Sequence, residues 1–268
     1  MEQEGGLASG AGMRYLRDPR RPQVAFRYLR NKQLDLLPTM PRLGLRVWTR
    51  LHRMVTRRLR GALMGCGPQL VVSEQIIENP LVLRYLPESA ESILDFGGVE
   101  STLPLTLCAL GYRVTVWDQR EYPFTHPNLQ TIRRDIFEAQ PDPELRFDTA
   151  VSVSTIEHLG LGAYGGREVP DGDRRSVAAL WSLVRPGGRM IVTVPAGRPA
   201  VQRGYRVYDA ARLKEVFPDA SLVRWFLKGG RAGVWLEVGP ADVQDCVYQA
   251  PTEPLPIEAV AVIVSDKA

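Results

Sequence analysis

Cysteine is scarce in this chain: Cys66, Cys108 and Cys246 are the only three in 268 residues. Their odd number, wide spacing and lack of any CxxC argue against a disulfide framework and a zinc site, and fit a reducing cytoplasm. Histidine is as rare, with His52, His126 and His158 alone, so an all-histidine metal triad would need three distant residues to meet. No apolar stretch approaches the roughly 18 residues that span a bilayer. The start, Met1-Glu-Gln-Glu-Gly-Gly, lacks the basic-then-apolar pattern of an export signal. Internal repeats and low-complexity tracts are absent.

What is present is an ordinary globular composition, 44% apolar and 24% charged, in a chain long enough for a core without cross-links. The net charge of +4 conceals an asymmetry. Residues 14 to 60 carry 14 Arg or Lys against Asp18 and Asp35, while the remainder from residue 61 is net acidic. Over residues 43–63, Trp48, Leu51, Val55, Leu59 and Leu63 recur at helical spacing, with Arg46, Arg50, Arg53, Arg57 and Arg60 on much of the opposite face. A basic amphipathic helix of this kind can pack as an N-terminal cover, lie on an anionic membrane surface or carry a lipid-linked substrate, or bind nucleic acid. Nucleic acid has the least support, because no recognised binding motif accompanies the charge. Residues 1–68 therefore read as a basic helical segment and 69–268 as a separate domain.

That domain is organised around Glu91 to Thr102. Ile93 and Leu94 close an apolar run that fits a buried parallel strand, Gly97 and Gly98 break it, and Leu103 to Leu110 has helical character. Strand, glycine turn and helix can cradle a nucleotide, since glycine lets the backbone approach a ligand and the helix offers free N–H groups. The same turn also serves as a plain connection. The next strand favours the ligand: Tyr112 to Trp117 is β-branched and alternating, and ends in Asp118, 23 residues beyond Asp95. An acid there is placed to accept hydrogen bonds from ribose hydroxyls.

These residues resemble the class I S-adenosylmethionine-dependent methyltransferases, whose first motif is an apolar strand followed by acid-x-Gly-x-Gly-x-Gly. Asp95 and Gly97 match it, whereas Val99 and Ser101 stand at its second and third glycines. Later motifs follow in order: Asp118, then Arg134-Asp135-Ile136, then Phe147 to His158, then Arg185-Pro-Gly-Gly188 leading into Arg189 to Pro195. The likeness covers roughly residues 75–228 and the final strand. It implies an α/β, doubly wound, Rossmann-like sheet of seven strands behind the basic helical extension, and S-adenosylmethionine as cofactor. By resemblance the cofactor set is Asp95, Gly97, Gly98, Asp118, Gln119, Asp135, Ile136 and Ser154, with Asp135 near the adenine. Ser154 to Gly165, Asp171-Gly-Asp173 and Arg206-Val-Tyr-Asp209 look like a bacterial subgroup associated with glycan or secondary-metabolite biosynthesis, which implies a small-molecule or glycan acceptor.

The catalytic candidates lie after strand four. With an unperturbed pKa of about 6.5, His158 can take a proton from an attacking hydroxyl at neutral pH. Glu157 is the second candidate, although Glu-His at this place also serves architecture, and His126 is a weaker one. Gly160 to Gly166 reads as a lid or acceptor loop, with Tyr164 touching the acceptor. Asp171 and Arg206 complete the substrate-binding set, and Arg198 and Arg203 flank the same region. Asp173 reads as the N-cap of a helix over 174–184, and Asp135 as a short helix cap compatible with a cofactor role. His158 with Glu157, Asp171 and Asp173 could hold a divalent cation, but no metal is expected. Val234 to Val238 is a possible extra strand, with Trp235 assigned to the core.

Three other classes compete, one of them a membrane-anchoring adaptor in which the N-terminal basic helix is the functional part. A nicotinamide-dependent oxidoreductase would have Gly-x-Gly-x-x-Gly, and Val99 and Thr102 occupy its later glycines. A non-catalytic cofactor-binding or membrane-associated scaffold would bind cofactor without turnover.

Overall fold

The computed structural model of the protein describes residues 74–138, 144–202, 204–229, 234–246 and 257–268. The basic segment 1–68, with its amphipathic stretch 43–63, His52 and Cys66, lies outside the described residues, as does Arg203.

Helix α1 (Gln75–Tyr85) precedes strand β1 (Ser92–Phe96), and α2 (Leu103–Ala109) leads to β2 (Arg113–Asp118). Then follow β3 (Leu129–Arg133), β4 (Phe147–Val153), α3 (Gly172–Leu183) and β5 (Val184–Pro195). A small hairpin of β6 (Ala200–Gln202) and β7 (Tyr205–Val207) comes before α4 (Ala210–Val216). The chain ends with β8 (Leu222–Gly229), β9 (Val234–Val238), a single helical turn α5 (Pro240–Val243) and β10 (Ala259–Asp266).

The main sheet has the order β3-β2-β1-β4-β5-β10-β8-β9. Its first five strands are mutually parallel, and β10 inserts antiparallel between β5 and β8. The expected doubly wound α/β sheet is therefore present, with eight strands in place of seven and its last strand antiparallel. The eighth is β9, which pairs antiparallel with β8 along Trp225–Val238 to Gly229–Val234. Val234 and Leu236 stay exposed on it while Trp235 is partly buried.

Each strand feeds two cores because its side chains alternate between faces. On β1, Ile93 packs with Leu81 and Val82 of α1 and Leu103 and Leu107 of α2. Its neighbour Leu94 packs on the other face with Val177 and Leu180 of α3 and Leu213 and Val216 of α4. Val151 and Ala150 of β4 divide in the same way, as do Ile191 and Val192 of β5. Strand order reverses between β1 and β4, and open α/β sheets bind ligands in the crevice at the strands' carboxyl ends there.

Candidate active site

A cleft lies at this switch point, walled by the carboxyl-terminal ends of β1 to β4 and the loops that leave them. From β1 come Asp95, Gly97 and Gly98, and from β2 Trp117, Asp118, Gln119 and Arg120. The β3 end gives Arg134, Asp135, Ile136 and Phe137, and the β4 end Ser154, Thr155 and His158. Gln75 reaches it from α1, and Ala163, Tyr164, Gly166 and Arg167 from the loop beyond His158. All eight residues expected to contact the cofactor line this one cleft.

The glycine turn is built tightly. Gly97 has φ +78°, a conformation that L side chains rarely adopt, and a Cβ there would lie 2.2 Å from Thr155 Cγ2. At Gly98 a Cβ would meet the Asp95 carboxyl carbon at 2.8 Å. The turn thus lets the end of β1 pass against the β4 loop and over its own acid. Asp95 is buried, and its Oδ2 has no hydrogen-bond partner among the described residues. Burial first, and the nearby Asp118 charge second, push its carboxyl up to about 7.

Asp118 is already engaged. Its Oδ1 accepts from the Arg120 backbone N–H at 2.9 Å and from Nε at 3.2 Å, and its Oδ2 accepts from Nη2 at 3.3 Å. Arg120 also reaches Glu100 at 2.5 Å and stacks 5.0 Å from the Tyr164 ring centre. Asp135 accepts from the Phe137 N–H at 2.9 Å, which is the capping role expected of it, and faces Arg167 at 3.7 Å.

Loop 160–168 is fastened across the ends of β2 and β3. Gln119 Nε2 donates to the Tyr164 carbonyl at 2.9 Å, and Arg167 pairs with Asp135 and Glu138. Four residues of this loop, Gly160, Gly162, Tyr164 and Gly165, have positive φ, which explains why no regular helix forms here. Tyr164 is 56% exposed.

His158 sits in the cleft with Nδ1 2.6 Å from the Gly204 carbonyl oxygen, on the turn of the β6–β7 hairpin. The rings of Tyr164 and Tyr205 meet it edge-on at 5.1 and 6.3 Å. Burial holds its pKa below the ordinary histidine value, helped by the Arg120 and Arg206 charges and opposed by the Gly204 bond and Glu100. The imidazole is therefore neutral at pH 7.

Three of the expected site residues do not line this cleft. Glu157 is buried outside the cleft, its Oε2 has no partner among the described residues, and burial drives its carboxyl well above the usual range. Its Oε1 lies 3.8 Å from His158 Nε2. Arg206 does not line the cleft either: its Nη1 donates to the backbone carbonyls of Glu157 and Leu159 at 3.3 and 2.7 Å, and Nε lies 3.7 Å from Asp173. It braces the β4 loop from beneath. Asp171 is exposed, stands away from the cleft at φ +51°, and occupies the N-cap position of α3 without a side-chain capping bond.

Asp173 is no cap. Wholly buried, it accepts from Arg212 Nη2 at 3.2 and 2.9 Å and from the Tyr208 hydroxyl at 3.3 Å, tying α3 to α4 and to the residue after β7. Two arginines and a tyrosine take up the acid that might have joined a cation site. Among the described residues no group of His, Cys, Asp and Glu is placed to hold a metal ion. His126 lies away from the cleft and accepts from the Asn128 N–H.

Several neighbours of the site went unforeseen. Glu78, buried in α1, accepts from the Ser154 hydroxyl at 2.7 Å and so positions the start of the β4 loop from 76 residues away. Ser154 itself has φ +42°. Arg120 carried a signal, two residues after an acid ending a strand, and Thr155 another, adjacent to Ser154. Glu78 and the Gly204 carbonyl carried none, since only the fold brings them in.

Residues 131–237 match a protein family described as Caenorhabditis protein of unknown function, DUF268. No curated protein matches the chain. Among solved structures, the chain is similar to the 1,6-didemethyltoxoflavin-N1-methyltransferase of Burkholderia thailandensis, crystallised with 1,6-didemethyltoxoflavin and S-adenosylhomocysteine. Identity is 17% over 86% of this chain and 92% of that one, with a TM-score of 0.49. It is also similar to the N-methyltransferase NodS of Bradyrhizobium japonicum WM9 in complex with S-adenosylhomocysteine, at 16% identity over 79% and 97% of the two chains and a TM-score of 0.48. A TehB-like methyltransferase of Corynebacterium glutamicum gives 16%, 83% and 99%, with 0.43.

Proposed function

We propose that the protein is an S-adenosylmethionine-dependent methyltransferase acting on a hydroxyl of a sugar, glycoconjugate or secondary metabolite. The observation that carries this reading is a single cleft at the β1/β4 switch point. It gathers the Gly97-Gly98 turn, the acids Asp118 and Asp135 and the neutral His158.

The residues present fit the cofactor. Asp95 offers a buried carboxyl oxygen without a partner beneath the glycine turn. Asp118 is a hydrogen-bond acceptor for ribose hydroxyls, its remaining lone pairs supplementing those given to Arg120. Asp135 and Ile136 would lie at the adenine, and Gly97, Gly98, Gln119 and Ser154 would complete the walls. When bound, S-adenosylmethionine supplies an electrophilic methyl carbon on a sulfonium. The chain's own part is to align an acceptor oxygen, exclude water beneath loop 160–168 and receive a proton at His158. Tyr164, exposed at the cleft beside His158, would contact the acceptor.

Calorimetric titration with S-adenosylhomocysteine, with NAD and NADP as parallel controls, tests the cofactor. Binding of S-adenosylhomocysteine alone is expected, and binding of NAD or NADP instead would replace this reading with an oxidoreductase. An acceptor screen with sugars and lipid-linked sugars would then use His158→Gln, expected to lose roughly 10² or more in kcat while keeping its S-adenosylhomocysteine affinity. Cofactor binding with no turnover on any acceptor would favour a non-catalytic binding protein.

A further inference from the structure

We infer that the β6–β7 hairpin is a positioning element for His158, and that the Gly204 carbonyl on its turn fixes the imidazole with its proton on Nδ1, leaving Nε2 as the proton-accepting atom. The proposal rests on the methyl-transfer reading for its catalytic consequence, but the arrangement itself can be measured without cofactor or acceptor.

The argument begins with hydrogen-bond roles. A carbonyl oxygen only accepts, so a contact of 2.6 Å between it and Nδ1 requires that Nδ1 carry a hydrogen. In a neutral imidazole one nitrogen is protonated and the other holds a lone pair, so Nε2 is left unprotonated. The charged groups around the ring do not overturn this. Arg120 and Arg206 disfavour the imidazolium and Glu100 favours it, while Glu157 Oε1 stands 3.8 Å from Nε2, beyond hydrogen-bond reach. At that distance Glu157 does not place a hydrogen on Nε2, so the Gly204 contact decides the tautomer.

The hairpin is built to deliver that carbonyl. Its three backbone pairs join Ala200 to Val207, Val201 to Arg206 and Gln202 to Tyr205, leaving Gly204 in the turn at φ +85°. A Cβ at Gly204 would come within 3.3 Å of the Ala163 Cβ, on the loop that also carries Tyr164. The hairpin is anchored at its far end by Tyr208, whose N–H donates to the Pro195 carbonyl at 3.0 Å, and by Arg206 bonding the carbonyls on either side of His158. One face of the hairpin therefore holds the backbone of the Glu157–Leu159 segment, and its turn holds the ring.

Long-range proton–nitrogen correlation spectra of protein labelled with [15N]histidine read the tautomer directly. His52→Gln and His126→Gln assign the signals, since the chain has only three histidines. In the wild type above its pKa, His158 is expected to show a protonated Nδ1 and a bare Nε2. A protonated Nε2, or an even mixture of tautomers, would overturn the proposal. Gly204→Ala strains the turn and is expected to move the tautomer populations and lower kcat roughly tenfold or more, with KM for the cofactor nearly unchanged. A folded Gly204→Ala protein with an unchanged His158 spectrum would overturn the role of Gly204. The wild-type spectrum stands as a test even if that variant does not fold. Failure of S-adenosylhomocysteine to bind would refute the methyl-transfer reading while leaving the tautomer result intact, so the two failures are distinguishable.

Discussion

Replacing Asp95 with asparagine isolates the electrostatic cost of burying a carboxyl under the glycine turn. The side chain is 1% exposed, one oxygen lacks a partner among the described residues, and burial together with the Asp118 charge pushes its carboxyl from an ordinary 3.8 up to about 7. Between those two values the native state keeps a proton that the unfolded chain has released. Unfolding then releases that proton, so stability declines as pH rises, by at most about 1.4 kcal/mol per pH unit and on the order of 4 kcal/mol across the window. Below about 3.8 both states are protonated and above about 7 both are ionised, so the contribution levels off at each end. Asparagine keeps the shape and does not titrate. Glu78 and Glu157, whose carboxyls are also raised by burial, act in the same direction in both proteins and largely cancel in the comparison. Urea denaturation of wild type and Asp95→Asn at several pH values from 4.5 to 8, without ligand, reads the difference. The variant is expected to gain on the wild type by several kcal/mol as pH rises, then hold a constant lead above about pH 7.5. A difference that stays flat across the range would mean that Asp95 ionises normally, and that another group or water satisfies it.

Gly97→Ala adds both strain at φ +78° and a Cβ 2.2 Å from Thr155, and is expected to weaken S-adenosylhomocysteine binding at least tenfold by calorimetry. Asp118→Ala should weaken the same binding by about 1 to 3 kcal/mol through lost charge-assisted hydrogen bonds, and an unchanged dissociation constant would count against a ribose contact. If His158 is the base, kcat should rise with pH through a midpoint below the ordinary histidine range, because burial holds its pKa down and activity needs the neutral ring. Arg206→Ala should cost stability, about 1 to 3 kcal/mol by urea denaturation, with little change in acceptor KM, whereas a large KM effect would restore it to the acceptor pocket.

The sheet was legible because periodicity and strand-ending acids are local signals. Asp95, Asp118 and Asp135 each stand at or just beyond the carboxyl end of a strand, so their meeting follows once parallel order is granted. The β9 strand was visible as an alternating run, but whether it joins the sheet depends on pairing with β8, which no spacing reveals. The internal partners of Asp173 and Arg206, and the exposure of Asp171, were not legible for a related reason. Charge type says that a side chain needs a partner and not whether that partner is a ligand or the protein. The fold supplies Arg212, Tyr208 and two loop carbonyls to satisfy Asp173 and Arg206 internally, and leaves Asp171 in solvent.

The same distinction separates the residues that can do chemistry from those that hold them. His158 and Tyr164 face the cleft because the β4 loop is bent by residues at positive φ and braced from behind. The bracing comes from Glu78 through Ser154, from Arg206 through two carbonyls and from Gly204 through Nδ1, contacts that cross 76, 49 and 46 residues of sequence. A reactive group can be proposed from its own identity, but its proton location and orientation are properties of these distant partners. Loss of the Arg206 or Gly204 brace should therefore show first in the pH dependence and tautomer of His158, while S-adenosylhomocysteine affinity changes little.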